Sequence, residues 1–163
     1  MYGWAGQRLR VDLTTGKISK EPLSAEYRKK WIGGRGFNSD IIYNEVPPTL
    51  DPFDPKARVC FGVGPVSGTA APSSGRVTVT CKSPLTGGFG DGNMGGHWGA
   101  ELKYAGYDQI IVQGRAEQPV YLWIDDDKVE IRDARHLWGK FPRDADQMIK
   151  EELGDEDIHM IMI

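Results

Sequence analysis

Apolar positions in this chain alternate with polar ones in short runs, and only a few segments carry helical spacing. Leu9, Val11 and Leu13 alternate with polar neighbours, Thr14–Gly16 read as a turn, and Ile18 resumes the pattern, which predicts a β-hairpin. The run RVCFGVG from Arg58 reads as a buried strand entering a Gly-Pro turn. In SSGRVTVTCKS, Val77 and Val79 oppose Thr78 and Thr80, the mark of a half-buried strand. YDQIIVQGRA predicts a strand ending at Gly114. PVYLWIDDDKVEIRDA is the clearest hairpin, with Asp125, Asp126 and Asp127 at its turn.

Helical spacing is confined to four short segments. Ser24 suits an N-cap ahead of Tyr27 and Trp31, with Gly33 and Gly34 closing the helix. A second helix is expected from Phe37 to about Glu45, burying Ile41 and Ile42. Trp98, Leu102 and Ala105 share a face after His97. Arg143 to Leu153 predicts an amphipathic helix carrying Ala145, Met148, Ile149 and Leu153, closed by Gly154. The proline-rich stretch from Pro47 to Pro55 should be a rigid, extended connection. These elements predict an α+β, β-rich domain with antiparallel hairpins and a few short helices. The terminal run IHMIMI is apolar and strand-like, which predicts a chain that stops inside a larger domain. The alternative is a complete small domain ending on a central strand.

Composition narrows the function classes. The 163 residues suit one domain, and 39% hydrophobic with 26% charged residues is ordinary for a globular protein. A formal net charge of -3 without a basic stripe argues against a nucleic-acid partner. No apolar segment has the length of a membrane span and the N-terminus lacks a signal-peptide core, so a cytoplasmic protein is expected. Cys60 and Cys81 sit in strand-like runs without metal-ligand spacing and read as core thiols. The three aspartates at the hairpin turn lack further ligands at calcium-loop spacing and read as turn formers.

Chemistry concentrates between Ser83 and Lys103, SPLTGGFGDGNMGGHWGAELK, where seven of the thirteen residues from Gly87 to Gly99 are glycine. Glycine permits positive φ and close backbone approach to a ligand, at an entropic cost that a specific role must offset. A glycine loop feeding a helix N-terminus is also a ready phosphate site. A flexible linker would account for the glycines too, but Phe89, Met94 and Trp98 interleave them. His97 opens the helix, where contact with a phosphate and simple solvent exposure are equally compatible with the pattern. His136 reads as a loop or packing residue.

The motif SPLTG…GNMGG.WGAELK.AGYD, together with MYGWAGQRLRVDLTTGKI, WIGGRGFNSDI, FGVGPVSGTAAPSSGRVTVTCKS and VEIRDARHLWGK, resembles the N-terminal domain of tungsten-containing aldehyde:ferredoxin oxidoreductases over nearly the whole chain. The resemblance implies a domain spanning 1–163 whose sheets form a saddle-like base for a tungsten ion held by two pterin dithiolenes (tungstopterin). It implies a magnesium ion bridging the pterin phosphates and held in part by the backbone carbonyl of Asn93. Met94, Gly95 and Gly96 would lie along the pterin and its phosphate, and Arg76 between the pterin and a 4Fe-4S cluster. The cluster ligands, second pterin motif and proton-transfer residues of the family lie downstream, and neither Cys60 nor Cys81 matches a cluster ligand. The isolated chain is therefore expected to be inactive. The longer enzyme would oxidise aldehydes to carboxylic acids with ferredoxin as electron acceptor, as a homodimer or with a partner subunit. The motifs do not separate tungsten from molybdenum.

Two other classes compete with that reading. A non-catalytic phosphate-ligand or nucleotide-binding module rests on the glycine loop alone, and neither GxGxxG with its downstream acid nor GxxxxGK[ST] is present. A structural subunit that has lost its chemistry sits less well with the presence of Arg76 and Asn93.

Overall fold

The computed structural model describes residues 3–162. Two β-strands, β1 (Gln7–Asp12) and β2 (Lys17–Pro22), form the predicted hairpin, with Val11 opposite Ile18. Ser24 caps α1 (Ala25–Trp31), its hydroxyl accepting from the Tyr27 N–H at 3.0 Å. After Gly33 and Gly34 comes α2 (Arg35–Glu45), two residues longer at its start than the apolar spacing indicates. Then follow β3 (Val59–Val63), β4 (Val77–Lys82), β5 (Phe89–Met94), α3 (Trp98–Tyr104) and β6 (Gln109–Gln113). The second hairpin, β7 (Val120–Asp125) and β8 (Lys128–Asp133), precedes α4 (Pro142–Leu153), closed by Gly154 in the left-handed conformation. The fold is α+β.

Six strands form one mixed sheet in the order β2-β1-β6-β3-β4-β5, and β7-β8 forms a second. The β1–β6 pairing is parallel and the other ladders are antiparallel. One face of the large sheet carries Leu9, Val11, Val63, Val77 and Ile110, packed with Leu102 and Tyr107 against the second hairpin through Leu122, Ile124, Val129 and Ile131. On the other face Cys60 and Ile111 meet Ile41, Ile42 and Val46 of α2. The two cysteines thus occupy opposite faces of the sheet. Burial pushes the Cys60 thiol up to about 12, followed by repulsion from Glu45, and burial raises Cys81 as well. Cys60 is a core thiol as expected, whereas Cys81 is half-buried and lies outside the buried clusters.

Three expectations need correction. The glycine-rich stretch is not a loop through its length: Phe89–Met94 is a strand paired with β4. The run IHMIMI forms no strand: residues 158–162 carry no regular structure, and Ile163 lies outside the described residues. Apolar content there finds no ladder to join, and period-two patterning alone does not supply hydrogen-bond partners. The Pro47–Pro55 connection is not extended, because proline's fixed φ suits turns as well as extended chain. It folds through successive turns, the Leu50 N–H donating to the Pro47 carbonyl and the Asp54 N–H to the Asp51 carbonyl, each at 3.0 Å, and buried Lys82 donates its ammonium protons to the carbonyls of Pro48 and Leu50. Asp125–Asp127 form the β7–β8 turn as expected, with Asp126 at φ 47°. Among the described residues no helix is long and apolar enough to cross a membrane.

Candidate functional site

Among the described residues β5 ends the large sheet, and no strand among them pairs with its outer edge. Its sequence FGDGNM places Phe89, Asp91 and Asn93 on one face and Gly90, Gly92 and Met94 on the other. That period-two pattern is the signal that identifies the strand, and glycine content obscures it. A Cβ added at Gly92, Gly95 or Gly96 would meet nothing within 4 Å, so the backbone lies open to a ligand there.

The alternation of the antiparallel ladder fixes which backbone groups are free. The Ser83 N–H donates to the Gly88 carbonyl at 2.8 Å, making that pair a hydrogen-bonded one. Counting along the β4–β5 register, Thr78 and Asn93 are then a non-hydrogen-bonded pair. The N–H and C=O of Asn93 therefore point away from β4, toward the open edge. Side chains approach closely across such pairs, and the Thr78 hydroxyl donates to Asn93 Oδ1 at 2.9 Å.

Arg76 immediately precedes Val77, whose ladder partner is Met94. A Cβ on Gly75 would collide with the Gly96 carbonyl oxygen, so the two chain segments touch at this corner. Arg76, Asn93, Met94, Gly95 and Gly96 are thus brought together at one end of β4 and β5. Arg76 is exposed and lines a cleft of about 220 Å³ with Gly33, Gly34, Gly64, Ser67 and Thr78. Glycine at 33 is required by shape, since a Cβ there would sit 2.7 Å from the Val63 carbonyl oxygen with φ at 155°. Sequence reading missed this second glycine pair as part of the cleft. Its signal is the GGRG run ahead of α2.

The remaining candidates lie elsewhere. His97 is exposed at the start of α3 and stacks on His159, with ring centroids 5.3 Å apart. His136 bonds Glu152 at 2.9 Å and lines a wide concavity of about 760 Å³ with Arg132, Asp133 and Arg135. That larger hollow is built on β8 and α4 instead of the glycine edge, and its charges pair among themselves, Arg135 with Asp133 and His136 with Glu152. Among the described residues no group of three or more His, Cys, Asp or Glu side chains could hold a metal.

Residues 8–163 match the family model described as the N-terminal domain of aldehyde ferredoxin oxidoreductase. The chain belongs to that family. A tungsten-containing aldehyde ferredoxin oxidoreductase from Pyrococcus horikoshii is 47% identical over the whole chain, which covers 27% of that protein. The Pyrococcus abyssi enzyme of the same name is likewise 47% identical over the whole chain and 27% of its own length. A solved structure, the active site complex BamBC of benzoyl coenzyme A reductase with 1,5 dienoyl-CoA, superposes with a TM-score of 0.92 at 42% identity, covering 96% of this chain and 24% of that one. The chain therefore spans about a quarter of the length of the relatives it matches.

Proposed function

We propose that this chain forms one wall of a tungstopterin site in an oxidoreductase that converts aldehydes to carboxylic acids and passes electrons to ferredoxin. The observation that carries the reading is the convergence of Arg76 and Asn93–Gly96 on the bare edge of β5. The residues fit the group. A glycine-bare edge admits a flat heterocycle, an outward carbonyl at Asn93 is a hard oxygen ligand suited to magnesium, and the Arg76 fork suits a polar ring or a phosphate. When bound, the tungsten centre supplies oxygen-atom and two-electron chemistry. Water provides the oxygen, the aldehyde loses two electrons and two protons leave as the acid forms.

In this reading the chain's residues bind and orient. The bare backbone at Gly92, Gly95 and Gly96 sets the depth at which the ligand lies, the β4 ladder turns the Asn93 backbone carbonyl outward, and the Thr78 hydroxyl fixes the Asn93 side chain on the other face. In this reading the 4Fe-4S cluster, the second pterin contact and the proton-transfer groups come from further polypeptide or from a partner subunit. The test is the complete polypeptide containing this chain, purified anaerobically, with tungsten and phosphorus measured alongside aldehyde-dependent ferredoxin reduction. Stoichiometric tungsten with aldehyde oxidation supports the proposal. Protein lacking tungsten and phosphorus refutes it.

The likeness to the benzoyl coenzyme A reductase complex favours a second reading of the reaction, in which the same cradle serves reduction of an aromatic acyl-CoA. Assay of the same preparation with benzoyl-CoA and a low-potential donor separates the two. Dienoyl-CoA formation without aldehyde oxidation selects the second.

A further inference from the structure

Asp91 is the one formally charged residue between Lys82 and Glu101, and it stands in the middle of the glycine edge. Its carboxylate is partnered across the sheet face: Arg35 places Nε at 2.8 Å and Nη2 at 2.6 Å from Asp91 Oδ2. Arg35 is the first residue of α2 and follows Gly34, whose N–H donates to the Val63 carbonyl at 2.9 Å. On its other side a Cβ at Gly36 would collide with the Trp31 carbonyl. The root of this arginine is therefore held tightly on both sides.

On the face opposite α2, strand β5 is anchored by Met94, which packs against the main core cluster at the strand's end. Phe89, Asp91, Gly92 and Asn93 are exposed, and a Cβ added at Gly92 would meet nothing within 4 Å. Apart from the ladder to β4, its attachments on the α2 face are two polar pairs, Asp91 with Arg35 and Asn93 with Thr78. Resting on the cofactor reading above, we propose that Arg35 is a positioning residue of the cradle, pinning the glycine edge to α2 and cancelling the one charge on it.

The electrostatic half follows from distance. Asp91 and Asn93 are two residues apart on an extended strand, roughly 7 Å. That is within the Debye length of about 8 Å at physiological ionic strength, so a phosphate-bearing ligand at Asn93 would feel an unpaired carboxylate at Asp91. Arg35 removes that repulsion without touching the ligand. The mechanical half follows from glycine: Gly90 and Gly92 flank Asp91 and leave the strand free to twist unless a side chain anchors it.

The two halves separate in a charge cycle made in the complete polypeptide, reading amide exchange over 89–94 together with tungsten and phosphorus content. Arg35→Gln should raise exchange in β5 roughly two- to fivefold, the range for a partly exposed ion pair. It should also lower tungsten and phosphorus together. Asp91→Asn should raise exchange to a similar degree yet keep the cofactor content. The double variant should recover the content lost in Arg35→Gln while exchange stays high. Unchanged β5 exchange in Arg35→Gln would overturn the pin, and equal cofactor loss in Asp91→Asn would overturn the charge role. A wild-type protein without tungsten and phosphorus would sink the cofactor reading and the charge role with it, while exchange would still decide the pin.

Discussion

Asn38 shows how much of this domain rests on single buried polar groups. Its Nδ2 donates to the carbonyls of Cys60 at 3.2 Å and Thr78 at 2.9 Å and to Thr80 Oγ1 at 3.1 Å, and its Oδ1 accepts from Gln109 Nε2 at 3.0 Å. One side chain on α2 thereby registers three strands. Asn38→Ala leaves the buried Gln109 amide without its acceptor and the Cys60 and Thr78 carbonyls with their ladder bonds alone, and should lower unfolding free energy by about 2–4 kcal/mol, read by urea denaturation. A loss below about 1 kcal/mol would show that water replaces the amide at little cost. Gly62 is the counterpart of Asn38. A Cβ there would stand 2.7 Å from both Asn38 Oδ1 and the Gly34 carbonyl oxygen. Gly62→Ala should destabilise by about 1–3 kcal/mol through overpacking, and wild-type thermal stability would contradict that.

Among the elements, α2 is joined to β1 by charge as well as by its apolar face. Arg10 makes a bidentate pair with Glu45, at 2.7 and 2.8 Å, and Arg58 adds a third bond at 3.3 Å. The hydrogen bond from Arg10 is the main reason that the Glu45 carboxyl titrates below its ordinary value of 4.5, against an opposing contribution from burial. A carboxyl with a lowered native pKa binds protons more weakly folded than unfolded. The stability it contributes is therefore complete above pH 4.5 and is lost as pH falls through the lowered value. Glu45→Gln should flatten this acid limb in a pH series of urea unfolding curves, and an unaltered acid limb would assign the sensitivity to other groups. Glu21 moves the same way, since bonds and charge from Arg8 and Arg10 outweigh its burial, so the flattening should be partial.

For the whole molecule, the separation between what folds and what binds can be measured. Gly92 lies in a strand with open space where a side chain would go. Gly92→Val introduces a residue suited to strands, so thermal stability should hold or rise slightly. In the complete polypeptide the same change fills the proposed cradle, and tungsten content should fall sharply. Retained tungsten at full occupancy would place the ligand elsewhere on the sheet.

Local patterning determined both hairpins, the capped first helix and the amphipathic last helix, because period, turn chemistry and caps act over a few neighbouring residues, whereas Arg76 and Asn93 were linked only by the family resemblance. The strand at Phe89–Met94 was equally local, yet its period-two signal was hidden where every second residue is glycine and carries no hydropathy. Tertiary structure alone decided the parallel pairing of β1 with β6 and the turning of the Asn93 backbone to a free edge. It also decided that Arg35 would meet Asp91, fifty-six residues away. Ladder phase and ion pairing depend on partners distant in sequence, and no short-range pattern encodes them.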